Sequence, residues 1–538
     1  MQGRLPYVGF FSHHNPFAYF FAVPISLFAG QSFVKFRLGL GVVYALLMIG
    51  FYVWTKKRFG VEVGKIILGW LIFLAVGATY WWGQMLLADV LGSYLISVPV
   101  ILLFWLIFNK EKIRQNDLLL ISVSSALALL TTFTLLYLVA LIYLVTLIWS
   151  FKNSSEKLVS SKNLKVVGTL AAPYLVFGFY LLVTGSIQEY FYQSVVFNSK
   201  YYAFLPGGVS VRNPLRVVIV LFYQFFINFK TMLVMTKDLN FGSPFAQTLV
   251  LSNAIMMVYS ILQRRFFLAA FIWFALTFSI VRSNPYTTVE TDYQGMAYHL
   301  ISIFNGLTVL VFLWKSLKEK VLDAKALVYA VSFLFLGAYF VFFSLHLSEK
   351  YLEKAYQKYM GVQSLIYDRP SVAPLLNKLL TKNDYYFLGP FDYENQLYVN
   401  EKPASKYIDV IPAMDNSLKI QAALLSDLQK NKPKIIVFDT EMRVLGNKPG
   451  GFLKPFLDKD YFNLEELGAP CIGVKATTKW FGTYDFERHF FFEKEDRPQV
   501  LKELEEQKLI APVDPNNLPA FCHDRYRNSE SSASAKPE

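Results

Sequence analysis

Two adjacent histidines, His13 and His14, stand beside Asn15 and Pro16 near the start of the chain. An imidazole titrates near neutrality, so such a pair can pass a proton or, when charged, hold an anion. A lone interfacial histidine is usually structural, whereas two in a row beside Asn-Pro favour a site. Arg37 offers a guanidinium to a phosphate or a sugar, or it only reaches up to lipid headgroups. Asp89 opens an apolar run, where a carboxylate can serve acid–base chemistry or simply cap a helix. Arg282 and His299 flank a stretch holding Glu290 and Asp292; these four either line the same cavity or belong to a solvated loop. No His, Cys and Asp cluster has ligand spacing, and GVEVG at 60–64 is too short for a phosphate loop, so neither a metal nor a cofactor is expected.

The elements that position these residues are apolar. The chain has 538 residues, of which 54% are hydrophobic and only 17% charged, with a mean hydropathy of +0.36. A soluble chain carries about a quarter charged residues. The deficit lies before Ser348, where apolar runs recur; after Glu349 the composition becomes ordinary. The formal charge of +13 sits largely in short loops between those runs, the pattern of topology signals, so nucleic acid is excluded as a partner. Cys471 and Cys522 both fall in the polar third, where they either pair or stay free. The N-terminus carries neither the cationic nor the apolar region of a signal peptide.

A span needs about 17–25 mostly apolar residues. Spans are expected near 35–55, 64–80, 86–108, 164–184, 246–262, 266–282, 297–314 and 325–347. The runs 118–131 and 133–150 are short and form either one hairpin or one long tilted helix. The apolar stretch 214–235 ends near Lys230 and Lys237. Cations cluster at Lys56, Lys57, Arg58 and Lys65, at Lys110, Lys112 and Arg114, at Lys152, Lys157, Lys162 and Lys165, at Arg264 and Arg265, and at Lys315, Lys318 and Lys320. All five clusters fall on the cytoplasmic side only if 214–235 lies in the outer interface rather than crossing. Residues 1–34, Tyr80-Trp81-Trp82, Tyr190-Phe191-Tyr192 and everything after Ser348 then face outward. The segment 3–41, GRLPYVGFFSHHNPFAYFFAVPISLFAGQSFVKFRLGLG, is too broken to be an ordinary span and too apolar to float free. Backbone of that kind is tolerated at membrane depth where it packs on protein or lines a cavity.

Three parts result: a transmembrane domain over 1–348, a soluble α/β domain over 349–522 and a disordered tail over 523–538. Within the second, DYYFL (384–388) and KIIVF (434–438) read as short buried strands. Ser417–Lys430 reads as a helix with Leu418, Ala422, Leu425 and Leu428 on its buried face.

The motif run Gly-x-Leu-Pro-Tyr, Phe-Phe-x-His-His-Asn-Pro-Phe-x-Tyr, Leu-Phe-Ala-Gly and Phe-Arg-Leu resembles the first outer loop and second span of GT-C glycosyltransferases. The protein O-mannosyltransferases and the lipid A aminoarabinose transferases are the groups it is most similar to. Members carry His-Pro-Pro or Lys-Pro-Pro; this chain has His14-Asn15-Pro16, with Asn for one proline. Gln84-Met85-Leu86-Leu87-Ala88-Asp89 is similar to the family's acidic residue at the outer start of a span. Thr184-Gly185-Ser186 running into Tyr190–Tyr202 is a weaker match. Pro403, Ile411-Pro412 and Lys432-Pro433-Lys434 are similar to the soluble tail of bacterial members.

The resemblance implies a polytopic α-helical membrane protein with an extracytoplasmic domain, held in the plasma or inner membrane. It implies transfer of a sugar from a polyprenyl-phosphate donor to a protein, lipid or glycan acceptor on the outer face. Asp89 is then the catalytic acid; His13, His14, Arg37, Arg282 and His299 hold donor phosphate or sugar; Tyr7, Asn15 and Gln84 line the substrate cavity. The family's first span and its main catalytic acid precede the Leu-Pro-Tyr segment, so both are expected upstream of Met1. With that helix the ten spans read here become eleven. The alternatives are a degenerate, non-catalytic sugar-lipid scaffold and a transporter or flippase. The latter calls for internal repeats and mid-membrane charges, and neither is found.

Overall fold

A computed structural model describes residues 5–77, 86–152, 160–201, 243–279, 295–318, 372–390, 393–408, 410–439, 448–463, 477–480, 484–487, 489–495 and 497–506, with a few isolated positions between 219 and 226. The chain divides into two compact units. One comprises residues 12–194 and 211–368; the other joins 2–11 and 195–210 to 369–538. The expected span 325–347, most of the stretch 214–235, both cysteines and the tail lie outside the described residues.

Among its described residues, the regular structure of the first unit is helical. Its helices are α1 (Phe17–Ala29), α2 (Phe33–Phe59), α3 (Val61–Gly77), α4 (Ala88–Phe108), α5 (Gln115–Leu129), α6 (Leu136–Lys152), α7 (Ser161–Val183), α8 (Ser243–Leu262), α9 (Phe266–Phe278) and α10 (Met296–Lys318). The expected spans in the described region each fall on one of α2 to α10. The pair 118–131 and 133–150 resolves into two helices, α5 and α6, broken at Thr131-Thr132 by a one-turn 3₁₀ helix, Phe133–Leu135.

Among the described residues, four helices are long and apolar enough to cross a membrane: 34–59, 88–108, 133–152 (the 3₁₀ turn with α6) and 163–183. Their burial differs in a way that assigns their neighbours. The most apolar stretch of α4 is 89% buried, that of α7 only 11% and that of α2 22%. A helix apolar all round belongs in a core or in lipid. α4 is therefore the central post, packed against α5, α6, α9 and α10. α2 exposes Leu38, Val42 and Leu46, and α7 exposes Leu175, Val176 and Phe179; such stripes suit hydrocarbon and not water.

α1 is a different object. Its 13 residues span about 20 Å, too short to cross, and Pro24 sits inside it. It folds back on α2 closely enough that a Cβ on Gly39 would lie 2.9 Å from Ile25 Cγ2. The turn between them uses Gly30 at φ +61° and Ser32, whose hydroxyl caps α2 by accepting from the Lys35 N–H at 3.2 Å.

Away from Asp89, the other ends of α2, α4 and α5 meet around Arg58. Its guanidinium pairs with Asp117 at 3.0 Å and with Glu111, and its side chain is 6% exposed. Nearby, Arg265 donates to the Phe108 carbonyl at 2.6 Å with its guanidinium 3.9 Å over the Phe108 ring. Between α8 and α10 a buried amide ladder runs from Asn305 Nδ2 to Asn253 Oδ1 at 2.9 Å and from Asn253 Nδ2 to Ser302 Oγ at 2.8 Å. Interhelical side-chain hydrogen bonds of this kind hold membrane helices together.

The second unit carries α11 (Ala373–Leu379), β1 (Tyr385–Gly389), α12 (Tyr393–Tyr398), β2 (Lys402–Pro403), α13 (Leu418–Asn431), β3 (Ile435–Phe438), α14 (Lys454–Asp460), β4 (Tyr461–Asn463), β5 (Thr477–Trp480), β6 (Tyr484–Glu487), β7 (His489–Glu493) and α15 (Arg497–Glu506). Five strands form one sheet in the order β2-β1-β3-β7-β4, and β5 pairs with β6. β1 runs parallel to β2 and β3, with Phe387 opposite Ile436; β7 is antiparallel to β3 and β4. Both strands read from the sequence are present. The buried face of α13 is not the one expected. Ile420, Leu424 and Leu428 are buried while Leu418 is 79% exposed. Apolar residues lie on two sides of this helix and share Leu428, so spacing alone could not choose; the folded unit buries the 420-424-428 stripe.

The Phe438 ring fills the space beside two glycines, since a Cβ on Gly389 or Gly450 would come within 2.6 and 2.4 Å of it. The Gly450 N–H donates to Asp415 Oδ1 at 2.9 Å. Burial pushes the Asp415 carboxyl up to about 6, partly offset by that N–H. The segments 5–11 and 195–201 pack with this unit: Phe11 donates its N–H to the Lys406 carbonyl at 2.9 Å, and its ring lies 5.3 Å from Phe197 and 5.4 Å from Tyr407.

Candidate active site

α4 starts at Leu87, whose extended backbone (φ −92°, ψ 142°) makes it the N-cap. Asp89 therefore lies inside the first turn, 7% exposed, and the capping role is corrected. The first-turn N–H groups still favour a negative charge there. The break between α5 and α6 supplies the rest. Thr132 Oγ1 donates to Asp89 Oδ1 at 2.9 Å, and Thr134 Oγ1 donates to the same oxygen at 2.8 Å. Two short hydroxyls with stiff β-branched χ1 thus fix the rotation of the carboxylate.

The histidine loop is stitched to the same break. Asn15, 1% exposed, donates through Nδ2 to the Leu129 carbonyl at 2.6 Å, and the Phe17 N–H donates to the Leu130 carbonyl at 2.9 Å. Asn15 therefore ties the loop to the end of α5. The His13 and His14 rings lie with centroids 3.9 Å apart, tilted by 41°, and both residues are half-buried. Ser12 Oγ accepts from the His14 N–H at 3.1 Å and lies 2.8 Å from Tyr19 Oη.

A third segment closes the group. After α7 the chain turns at Gly185 (φ +63°) into a short helix, Ile187–Tyr190, and a π-helical turn, Phe191–Val196. π-turns are rare and frequent at functional sites. Gln193, 1% exposed, accepts from the Ser12 N–H through Oε1 at 2.9 Å and donates through Nε2 to Glu189 Oε2 at 2.9 Å. Tyr190 Oη approaches Asn15 Oδ1 at 3.4 Å.

Arg37 sits early in α2, half-buried. Tyr44, seven residues on and so on the same helical face, meets Tyr94 of α4 with centroids 4.9 Å apart. Arg37 thus lies on the stripe of α2 that leads to α4 below Asp89. His299 is fully buried in α10, its ring 5.9 Å from Tyr298, which corrects its placement in a solvated loop. Tyr7 is fully buried at φ +70° in the segment that packs with the second unit. Gln84, Arg282, Glu290 and Asp292 lie outside the described residues. Among the described residues no three His, Cys, Asp or Glu side chains are grouped to hold a metal.

Sequence reading did not single out Thr132, Thr134, Ser12, Gln193 or Glu189. Two signals were present: the Thr131-Thr132-Phe133-Thr134 interruption of an apolar run, and the i, i+4 spacing of Glu189 and Gln193.

No family profile matches the chain, and none of the curated proteins does. Among solved structures, ArnT from Cupriavidus metallidurans bound to undecaprenyl phosphate is similar over 89% of this chain and 88% of its own, at 13% identity and a TM-score of 0.38. The same protein in the apo state is similar over the same shares, at 12% identity and a TM-score of 0.40. ArnT is a lipid A aminoarabinose transferase of the GT-C type, one of the groups named by the sequence resemblance.

Proposed function

We propose that the chain is a multi-pass glycosyltransferase of the plasma or inner membrane. It moves a sugar from a polyprenyl-phosphate donor to a protein, lipid or envelope-glycan acceptor on the outer face, with the C-terminal domain on that side. The observation that carries this reading is the buried Asp89 carboxylate fixed by two hydroxyl donors. The two hydroxyl bonds fix the rotation of the carboxylate, so Asp89 is suited to receive a hydrogen bond from the acceptor hydroxyl and set its line of approach. The motif resemblance of the adjoining loop supports the same reading.

In this reading the reacting hydroxyl attacks the anomeric carbon and the bond from that carbon to the phosphate oxygen breaks. The electron pair leaves with the polyprenyl phosphate. His14, His13 and Arg37 receive the phosphate as cations or hydrogen-bond donors, and the apolar flanks of α1 and α2 accommodate the prenyl chain. The purified chain in proteoliposomes, given undecaprenyl phosphate bearing radiolabelled aminoarabinose, mannose or glucose and envelope membranes as acceptor, is expected to transfer label. Binding of undecaprenyl phosphate without transfer of any of these sugars would favour a scaffold instead.

A further inference from the structure

The last turn of a helix leaves carbonyls with no partner inside the helix. At the end of α5, Thr131 Oγ1 donates to the Leu127 carbonyl at 2.7 Å, and the N–H groups of Thr131 and Thr132 donate to the Ala128 carbonyl at 3.2 and 3.1 Å. The next two carbonyls are taken by the histidine loop. Asn15 Nδ2 donates to Leu129 at 2.6 Å, and the Phe17 N–H donates to Leu130 at 2.9 Å. On its other flank the loop meets the segment after α7. The Ser12 N–H donates to Gln193, Ser194 Oγ lies 3.5 Å from the His14 carbonyl, and Tyr190 Oη donates to Asn15 Oδ1 at 3.4 Å. Asn15 thus touches both flanks, donating to one and accepting from the other. It is 1% exposed, so its amide is occupied within the protein.

Resting on the transferase reading, we propose that Asn15 is a positioning residue of the transfer. It sets the spacing between the histidines that receive the donor phosphate and the carboxylate that orients the acceptor. The route between them is short. His14 precedes Asn15 in the chain, Asn15 holds the Leu129 carbonyl, and Thr132, three residues on, holds Asp89. Transfer needs the attacking oxygen and the anomeric carbon held in an aligned approach, and a misplacement of about 1 Å costs about 100-fold in rate. An amide suits the junction because it gives a donor to the carbonyl and an acceptor to the Tyr190 hydroxyl without adding a charge. An alkyl group would satisfy neither partner, and a carboxylate would face the Leu129 carbonyl oxygen with no proton to give.

The test uses the full chain in proteoliposomes with the three labelled donors, with rates taken per folded molecule. Asn15→Leu, close to the amide in size, is expected to lower kcat about 30-fold or more and to leave undecaprenyl phosphate binding within about three-fold, since each half of the site survives and their spacing is lost. Asn15→Asp gives a sharper readout. The protonated carboxyl has the shape of the amide and can donate to the Leu129 carbonyl; the ionised one cannot. Burial raises the pKa of such a carboxyl, so the kcat of Asn15→Asp relative to wild type should rise about ten-fold between about pH 8 and about pH 5. Taking the ratio cancels the titration of His13 and His14, which both proteins share. Asn305→Leu removes a buried amide hydrogen bond between α8 and α10 and should keep kcat within about two-fold of wild type, which separates lost spacing from general loosening. A kcat for Asn15→Leu within a few-fold of wild type would overturn the assignment. So would loss of carrier binding in Asn15→Leu, a ratio for Asn15→Asp that does not change with pH, or an equal fall in Asn305→Leu. A wild type that binds the carrier but transfers none of the sugars defeats the transferase reading itself and this assignment with it.

Discussion

The two ends of the helical unit handle buried carboxylates in opposite ways. Around Arg58, Asp117 and Glu111 meet a guanidinium that is itself almost fully buried. Around Asp89, the donors to the carboxylate are the hydroxyls of Thr132 and Thr134. A buried ion pair cancels its own field, and removing one partner leaves a stranded charge. The two hydroxyls at Asp89 instead fix the rotation of its carboxylate. The first arrangement clamps helix ends; the second is the proposed site.

That contrast can be broken in graded steps. Asp89→Asn keeps size and hydrogen-bonding capacity at the Asp89 end, so transfer should fall about 10²- to 10⁴-fold while the unfolding midpoint in detergent stays near wild type. Arg58→Met should reverse that pattern. It strands Glu111 and Asp117, at a stability loss of about 3–5 kcal/mol measured by denaturant unfolding, while the transfer rate per folded molecule is retained. Thr132→Val with Thr134→Val removes two hydrogen bonds to a charge, about 1.5–3 kcal/mol each. This variant should lose about ten- to a hundred-fold in kcat, less than Asp89→Asn.

The smallest effect belongs to the C-terminal unit. Asp415 has its carboxyl pushed up to about 6 by burial, from an ordinary 3.8. The folded state then binds the proton more tightly than the unfolded one. The stability of this unit should accordingly rise as pH falls from neutral through 6 and level off near 4. Asp415→Asn should flatten that slope and stabilise the unit at pH 7 by about 1 kcal/mol, allowing for solvent screening at a partly exposed group. Thermal unfolding as a function of pH reads this directly.

Much of the architecture was legible because lipid-facing and core helices share one signal, a long apolar run. The boundaries of α2, α4 and α7 follow from it, while the run 118–150 stayed open between a hairpin and one long tilted helix. The same signal could not separate the buried α4 from the exposed α7, since both are apolar all round and only neighbours decide. The amphipathic α13 failed for a related reason: Ile420 and Leu424 compete with Leu418 and Leu425 for the inner face. At the site, Asp89 was visible because an acid opening an apolar run is costly without a purpose. Thr132 and Thr134 were not, because a hydroxyl more than forty residues away leaves no periodic trace.

The most direct test of the account compares sugar transfer from undecaprenyl-phosphate-linked donors by wild type, Asp89→Asn and Arg58→Met in the same proteoliposomes, normalised to folded protein. Transfer by wild type and Arg58→Met, with Asp89→Asn lower by about 100-fold or more, is the predicted result. Equal transfer by Asp89→Asn and wild type, or none by wild type, would contradict the claim that the Asp89 end is the reacting end of a glycosyltransferase.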